Sequence, residues 1–120
     1  MKFTIIGRLS GLNEYTLSCR GNMYGANSLK KKNQKVIFEE IREAMLKPIS
    51  NYPVNLKITW YEPNKRRDID NIVFATKFIQ DSLVESGILE NDSQKFITGL
   101  NHTVMVDTKN PRIEVEIMEV

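Results

Sequence analysis

A chain of 120 residues, 41 % hydrophobic and 27 % charged, has the balance of a soluble globular protein and the length of one compact domain, residues 1–120, with a modest core. No stretch approaches the roughly 20 apolar residues that cross a bilayer, and the segment from Met1 to Arg8 is too short and too soon broken by charge for a signal peptide. One cysteine, Cys19, and one histidine, His102, exclude an internal disulfide and a Cys/His zinc site of the usual kind. They fit a reducing, cytoplasmic compartment and leave any metal to oxygen ligands, hence a hard cation such as Mg²⁺, Mn²⁺ or Ca²⁺.

The net charge of +2 hides a division along the chain. Residues 1–67 carry 13 Lys/Arg against 5 Asp/Glu, whereas residues 68–120 carry 4 against 10. An anionic polymer could lie along the first part while the second supplies carboxylates, although solvated surface charge explains the same composition.

Residues 2–9 read as a first strand, with Phe3 and Ile5 alternating against Lys2 and Thr4. Ser10 to Asn27, rich in Gly, Asn and Ser, reads as a long, partly ordered loop. From Ser28 to Lys47 the spacing of Ile37, Ile41, Ala44 and Met45 predicts a helix with one buried face, stopped by Pro48. Its first turns carry Lys30, Lys31, Lys32 and Lys35, cations that oppose the helix dipole and suit phosphate contact or a solvated face.

Residues 54–61 form the clearest strand, Val54, Leu56, Ile58 and Trp60 alternating with polar neighbours. A turn at Glu62-Pro63-Asn64 leads to a second predicted helix from Asp68 to Ser86, with Gly87 as its stop. Residues 95–107 are extended with a bulge at Gly99, and 107–111 turn into a last strand in which Ile113, Val115 and Ile117 alternate with charged residues. The order β-α-β-α-β-β predicts an α+β two-layer sandwich, a mixed sheet with two helices on one face.

The informative segment is Lys65-Arg66-Arg67-Asp68-Ile69-Asp70-Asn71, where a strand gives way to a helix. Two carboxylates two residues apart at a change of backbone direction can converge on a metal ion, and the preceding cations suit a phosphodiester beside it. Asp68 as N-cap and Asp70 in a first turn is the competing structural account, and spacing alone does not separate the two. On a helix wheel Asp70, Lys77 and Asp81 share one polar stripe, opposite Ile72, Ala75, Ile79 and Leu83. Asp81 is placed to orient Lys77, or simply to pair with it. Phe74 sits near the polar stripe, so Phe74 and Phe78 point to a partner subunit that covers them. Asp92, in the acidic loop after Gly87-Ile88-Leu89, carries no signal of its own. His102 is a weak candidate for a general base, since a lone strand histidine is more often structural.

These residues resemble the RusA-type Holliday junction resolvases, small endonucleases often encoded by prophages. The resemblance spans most of the chain. It rests on Arg66-Arg67-Asp68-x-Asp70-Asn71, Lys77, Asp81-x-Leu83 and Gly87-Ile88-Leu89 leading to Asn91-Asp92, with Leu12-Asn13-Glu14-Tyr15 near the start. It implies a Mg²⁺ site (Mn²⁺ a substitute) at Asp68, Asp70 and Asp92, a catalytic Lys77, supporting Asn71 and Asp81, and a homodimer that nicks opposing strands of a four-way DNA junction, leaving 5′-phosphates. Lys30, Lys31, Lys32, Lys35, Lys65, Arg66, Arg67 and Asn13 are then the DNA-binding set. The departure is Lys77, which follows Asp70 by seven residues where the family has about one helical turn. A general flap or branched-DNA nuclease and a non-catalytic DNA-binding module are the alternatives.

Overall fold

The computed structural model describes residues 1–21 and 23–120. Its elements are β1 (Lys2–Ile6), α1 (Leu12–Gly21), α2 (Met23–Glu43), β2 (Val54–Glu62), α3 (Ile69–Val73), α4 (Thr76–Glu85), β3 (Ile97–Val106) and β4 (Arg112–Glu119). The strands form one mixed sheet in the order β1-β4-β2-β3, parallel only between β2 and β3. The expected α+β two-layer sandwich is the architecture found.

Period-two alternation decides which face of the sheet is covered. Phe3 and Ile5, Val54 through Trp60 at every second residue, and Ile113, Val115 and Ile117 are all buried. They meet Ile37 and Ile41 of α2, Ile72 of α3, Ala75 at the junction, and Ile79 and Leu83 of α4. The opposite face is polar, and Lys2, Thr4, Lys57, Thr59, Glu114 and Glu116 line a shallow depression on it.

Three boundaries differ from expectation. β1 stops at Ile6 because Gly7 turns the chain in the left-handed region (φ +86°) and donates to Pro111 O at 2.9 Å. The segment from Ser10 to Asn27 holds α1 and the start of α2 rather than a long loop, although its residue 22 lies outside the described residues. Its Gly and Asn content hid α1, whose N-terminal contacts come from distant parts of the chain. α2 in turn ends at Glu43, because Met45 adopts φ 53° and the chain reverses before Pro48. Ala44 and Met45 are therefore exposed, not part of the buried face.

The helix expected over 68–86 is two helices. Ala75, Lys77 and Phe78 each donate to the carbonyl three residues back, a 3₁₀-like tightening around Phe74 and Ala75. The local sequence favours it, since Val73, Phe74 and Thr76 are poor helix formers and the Thr76 hydroxyl bonds the Val73 carbonyl. Gly87 ends α4 as expected, at φ +82°, with Ile88 N–H returning to Leu83 O at 3.0 Å. The β3 irregularity also falls near its expected place. The register steps from Val54↔Ile97 to Asn55↔Gly99, and a Cβ on Gly99 would lie 2.6 Å from Asn55 Oδ1.

Leu83 is fully buried where α4 meets the sheet. Leu83→Ala should lower unfolding free energy by about 2–5 kcal/mol, read from the urea midpoint at unchanged slope.

Candidate functional site

β2 carries its buried alternation one step further than the hydrophobic residues do, so that Glu62 follows Trp60 into the interior and is 3 % exposed. A buried carboxylate needs charge and hydrogen bonds around it. Arg67 supplies both through a two-pronged fork, Nε to Oε1 and Nη2 to Oε2 at 2.9 Å each. Its Nη1 donates to Leu9 O at 3.2 Å, and Arg8 approaches Oε1 at 3.5 Å. This cluster ties the segments after β1 and β2 together and fixes where residue 68 begins.

Gly11 then lies against Asn71, with no room for a side chain. A Cβ there would stand 2.5 Å from Asn71 Oδ1 and 2.8 Å from its backbone oxygen. Having no side chain, Gly11 cannot cap α1, and Asn71 does so from α3: its Oδ1 accepts the Asn13 N–H at 2.9 Å. Asn33 of α2 secures the same turn, exchanging hydrogen bonds with Ser10 and donating to Leu29 O.

On this platform Asp68 and Asp70 are exposed. Asp68 occupies the N-cap position of α3 but its carboxylate makes no capping bond. Neither carboxylate has a hydrogen bond or ion pair among the described residues. Asp68 and Asp70 therefore stand at the N-cap and in the first turn, as the structural account expects, but the Asp68 carboxylate caps nothing and both carboxylates are left open beside the exposed Lys65 and Arg66.

The remaining expected site residues divide. Lys77 is exposed on α4, without an ion pair among the described residues. The break at Phe74 and Ala75 removes the single helix on which Asp70, Lys77 and Asp81 were to share a stripe. Asp81 does not pair with Lys77. It holds Lys30 of α2 at 3.2 Å, which also takes Lys30 out of the set of free cations. Lys31, Lys32 and Lys35 are exposed. Lys31 and Lys35 line a cleft of about 610 Å³ with Arg42, and Lys32 a separate one of about 250 Å³ with Arg8 and Arg67. Arg67 itself is committed to Glu62, a correction to its place among the DNA-binding residues.

Phe78 is 1 % exposed within this chain, and Phe74 packs on Tyr15 of α1 with ring centroids 5.0 Å apart. α1, read as loop from the sequence, covers the aromatic pair that was expected to need a partner subunit. Asp92 is exposed in its loop, where its backbone N–H bonds Asn91 Oδ1.

A family model described as Endodeoxyribonuclease RusA matches residues 17–118. The chain belongs to the RusA endodeoxyribonuclease family. No curated protein matches it. The match includes Asp68, Asp70, Lys77 and Asp92, and begins after Asn13. RusA-family enzymes resolve Holliday junctions, so the family implies a branched DNA substrate, and they generally depend on divalent metal. No helix among the described residues is long and apolar enough to cross a membrane.

The donor chemistry at Asp68 and Asp70 fits such a metal, being unpartnered carboxylate oxygen suited to a hard cation. A cage of three or more Asp, Glu, His or Cys side chains is not formed among the described residues. Asp92 is thus not gathered with the other two into a preformed cage.

Sequence reasoning missed Glu62 and its partners, although its position at the end of the strand alternation signals burial. His102, read from the sequence as more often structural than a base, accepts the Trp60 Nε1–H on Nδ1 at 3.1 Å, and burial pushes its imidazole below its ordinary pKa of 6.5. That bond occupies the nitrogen lone pair a base would use, leaving His102 structural.

Two outcomes follow from this chemistry. Glu62→Gln leaves Arg67 without its counter-charge and should cost about 3–5 kcal/mol in urea unfolding. Because the folded state favours neutral His102, its contribution is complete above pH 6.5 and is lost as pH falls through the lowered folded value. The urea midpoint should drop as pH falls below the ordinary histidine value of 6.5, and His102→Phe should remove most of that slope.

Proposed function

We propose that this chain, acting as one domain over residues 1–120, is a Mg²⁺-dependent endonuclease that resolves Holliday junctions by paired, symmetric nicks in DNA recombination and repair. The observation that carries the reading is the pair of exposed, unpartnered carboxylates at Asp68 and Asp70 at a strand-to-helix junction, beside exposed Lys65 and Arg66. Within an endodeoxyribonuclease family, such a pair is suited to hold a hard cation against a phosphodiester.

Asp68 and Asp70 would hold Mg²⁺ (Mn²⁺ as substitute), with Asp92 as third ligand. The ion supplies Lewis-acid polarisation of the phosphodiester and offsets its charge. Lys77, an uncompensated cation on α4, would add electrostatic stabilisation as charge develops on the phosphate. Lys65 and Arg66, with Lys31, Lys32 and Lys35 on α2, would grip flanking phosphates in a sequence-independent, salt-sensitive way. Asn71 holds α1 against α3 and so supports the carboxylate platform. The products would carry 5′-phosphates, and a homodimer would place one such site on each of two opposing strands. A bacterial or phage cytoplasm is the setting this reading implies.

Asp70→Asn should abolish cleavage of a synthetic four-way junction while leaving junction binding, measured by mobility shift, within about threefold of wild type. Wild type should lose cleavage on chelation and regain it with Mg²⁺. Normal-rate cutting by Asp70→Asn would remove Asp70 from the site. Equal cutting of junction, flap and plain duplex would replace the resolvase reading with a general nuclease.

A further inference from the structure

α2 packs along α4, and the face it turns that way carries Lys31, Gln34, Phe38 and Arg42 at three- and four-residue intervals. With Lys35 on α2 and Glu85 on α4 they line the cleft of about 610 Å³. That volume lies within the roughly 300–1,000 Å³ typical of small-ligand clefts. Lys30, on the same cleft, is tied across it to Asp81 at 3.2 Å. Asp81 lies one helical turn, about 6 Å, beyond Lys77, so the cleft begins within a turn of that cation.

Gln34 is 6 % exposed, and its Nε2 is the one buried side-chain N or O atom among the described residues that has no hydrogen-bond partner. An amide N–H buried unpaired is costly, and folded chains keep few of them. α2 does satisfy a buried amide where the fold needs it: neighbouring Asn33 donates to Ser10 Oγ and Leu29 O. Gln34 is left over, and Phe38, one turn further on, is half-buried beside it on the cleft. Lys31, Lys35 and Arg42 are exposed there and form no ion pair among the described residues. A small anion alone would be repelled by Glu39 and Glu85 on the same cleft and would have no use for the aromatic ring. A nucleotide suits the whole set. Its base stacks on the ring, the amide offers both a donor and an acceptor to the base edge, and the cations meet its phosphates. Bases inside a duplex are stacked and paired, so the occupant is an unpaired one.

We propose that the cleft between α2 and α4 holds one unpaired nucleotide of a DNA strand, its base against Phe38 and Gln34 and its phosphates on Lys31, Lys35 and Arg42. The inference rests on the DNA substrate of the family and is independent of the metal site. It goes beyond the phosphate grip assigned to Lys31 and Lys35 by adding a base pocket and Arg42. A base at a branch point is unstacked at less cost than one within a continuous duplex. A pocket that takes such a base, a turn away from Lys77, favours branched over plain duplex DNA without reading its sequence.

The test is fluorescence anisotropy at fixed salt, with a chelator present so that no metal contributes. The probes are a labelled octathymidylate and the same octamer with an abasic sugar at every position. Wild type should bind the octathymidylate about tenfold or more tightly than the abasic strand. Phe38→Leu should bring the two within about threefold of each other while leaving abasic binding unchanged. Gln34→Met should weaken octathymidylate binding about threefold or more without lowering the urea midpoint, because the amide has no partner to lose. In wild type the Gln34 side-chain amide resonances should shift with octathymidylate and not with the abasic strand, a readout that needs no substitution. Equal affinity for the two strands, a base preference that survives Phe38→Leu, or unmoved Gln34 resonances overturns the base pocket. Inorganic phosphate competing as well as thymidine monophosphate reduces the cleft to an anion site and overturns it too. Thymidine monophosphate binding as tightly as the octamer replaces the strand with a free nucleotide. None of these outcomes depends on Asp68 or Asp70, so the pocket and the metal reading fail separately.

Discussion

The site depends on a buried ion cluster that takes no part in chemistry. Glu62 stands at the end of the central strand with its carboxylate inside the protein, and removing it from water is expensive unless it is fully paired. Arg67 meets that demand with two parallel hydrogen bonds and spends a third on Leu9 O, while Arg8 adds a second positive charge. Because Arg67 immediately precedes Asp68, the fork fixes the direction in which the chain leaves β2. The same guanidinium lies against Gly11, so α1 is located by it as well. One desolvated carboxylate thereby sets the start of α3, the seat of α1, and the exposure of Asp68 and Asp70.

A division of labour among adjacent residues follows. In Lys65-Arg66-Arg67 the three cations look alike as a sequence, yet only Arg67 faces the interior. Its planar guanidinium suits the place, since its fork presents two parallel donors to the carboxylate and a further one to a backbone carbonyl, a geometry that a compact ammonium does not preset. Asn71 is divided in the same sense: it follows the carboxylates in sequence but points its side chain at the backbone of α1. Arg67 and Asn71 are spent on structure, and the two aspartates are left free because they are not.

How much of this was legible depends on the range of the forces involved. Periodicity located β2, β4 and the buried faces of α3 and α4, because alternation and helical spacing are local consequences of burial. The string from Arg66 to Asp92 located the carboxylates through its resemblance to a family, and the family match over residues 17–118 supports that source. What was not legible depends on contacts distant in sequence. The Asn13 N–H of α1 is capped by Asn71, 58 positions away, and the local start signal is only Glu14 in the first turn reaching back to the Gly11 N–H at 3.5 Å, so the segment from Ser10 to Asn27 reads as loop. Lys30 reads as a free cation until Asp81 is found beside it. Phe74 reads as a surface aromatic until α1 is known to cover it. Glu62 was within reach, since the two-residue alternation from Val54 runs through it without interruption.

The unusual interval between Asp70 and Lys77 has a structural counterpart. A continuous helix would carry the lysine along its axis by seven residues' rise, about 10 Å from Asp70. The chain instead tightens at Phe74 and Ala75 and begins a second helix at Thr76, so the additional residues are taken up in a turn. α4 keeps the four-residue interval from Lys77 to Asp81, and in an isolated helix that interval would pair the two and cancel the lysine's charge. Lys30 prevents this by engaging Asp81 from α2. The charge of Lys77 is consequently left uncompensated on an exposed helix face, which is the condition a cation needs if it is to act on a phosphate rather than on its own neighbour.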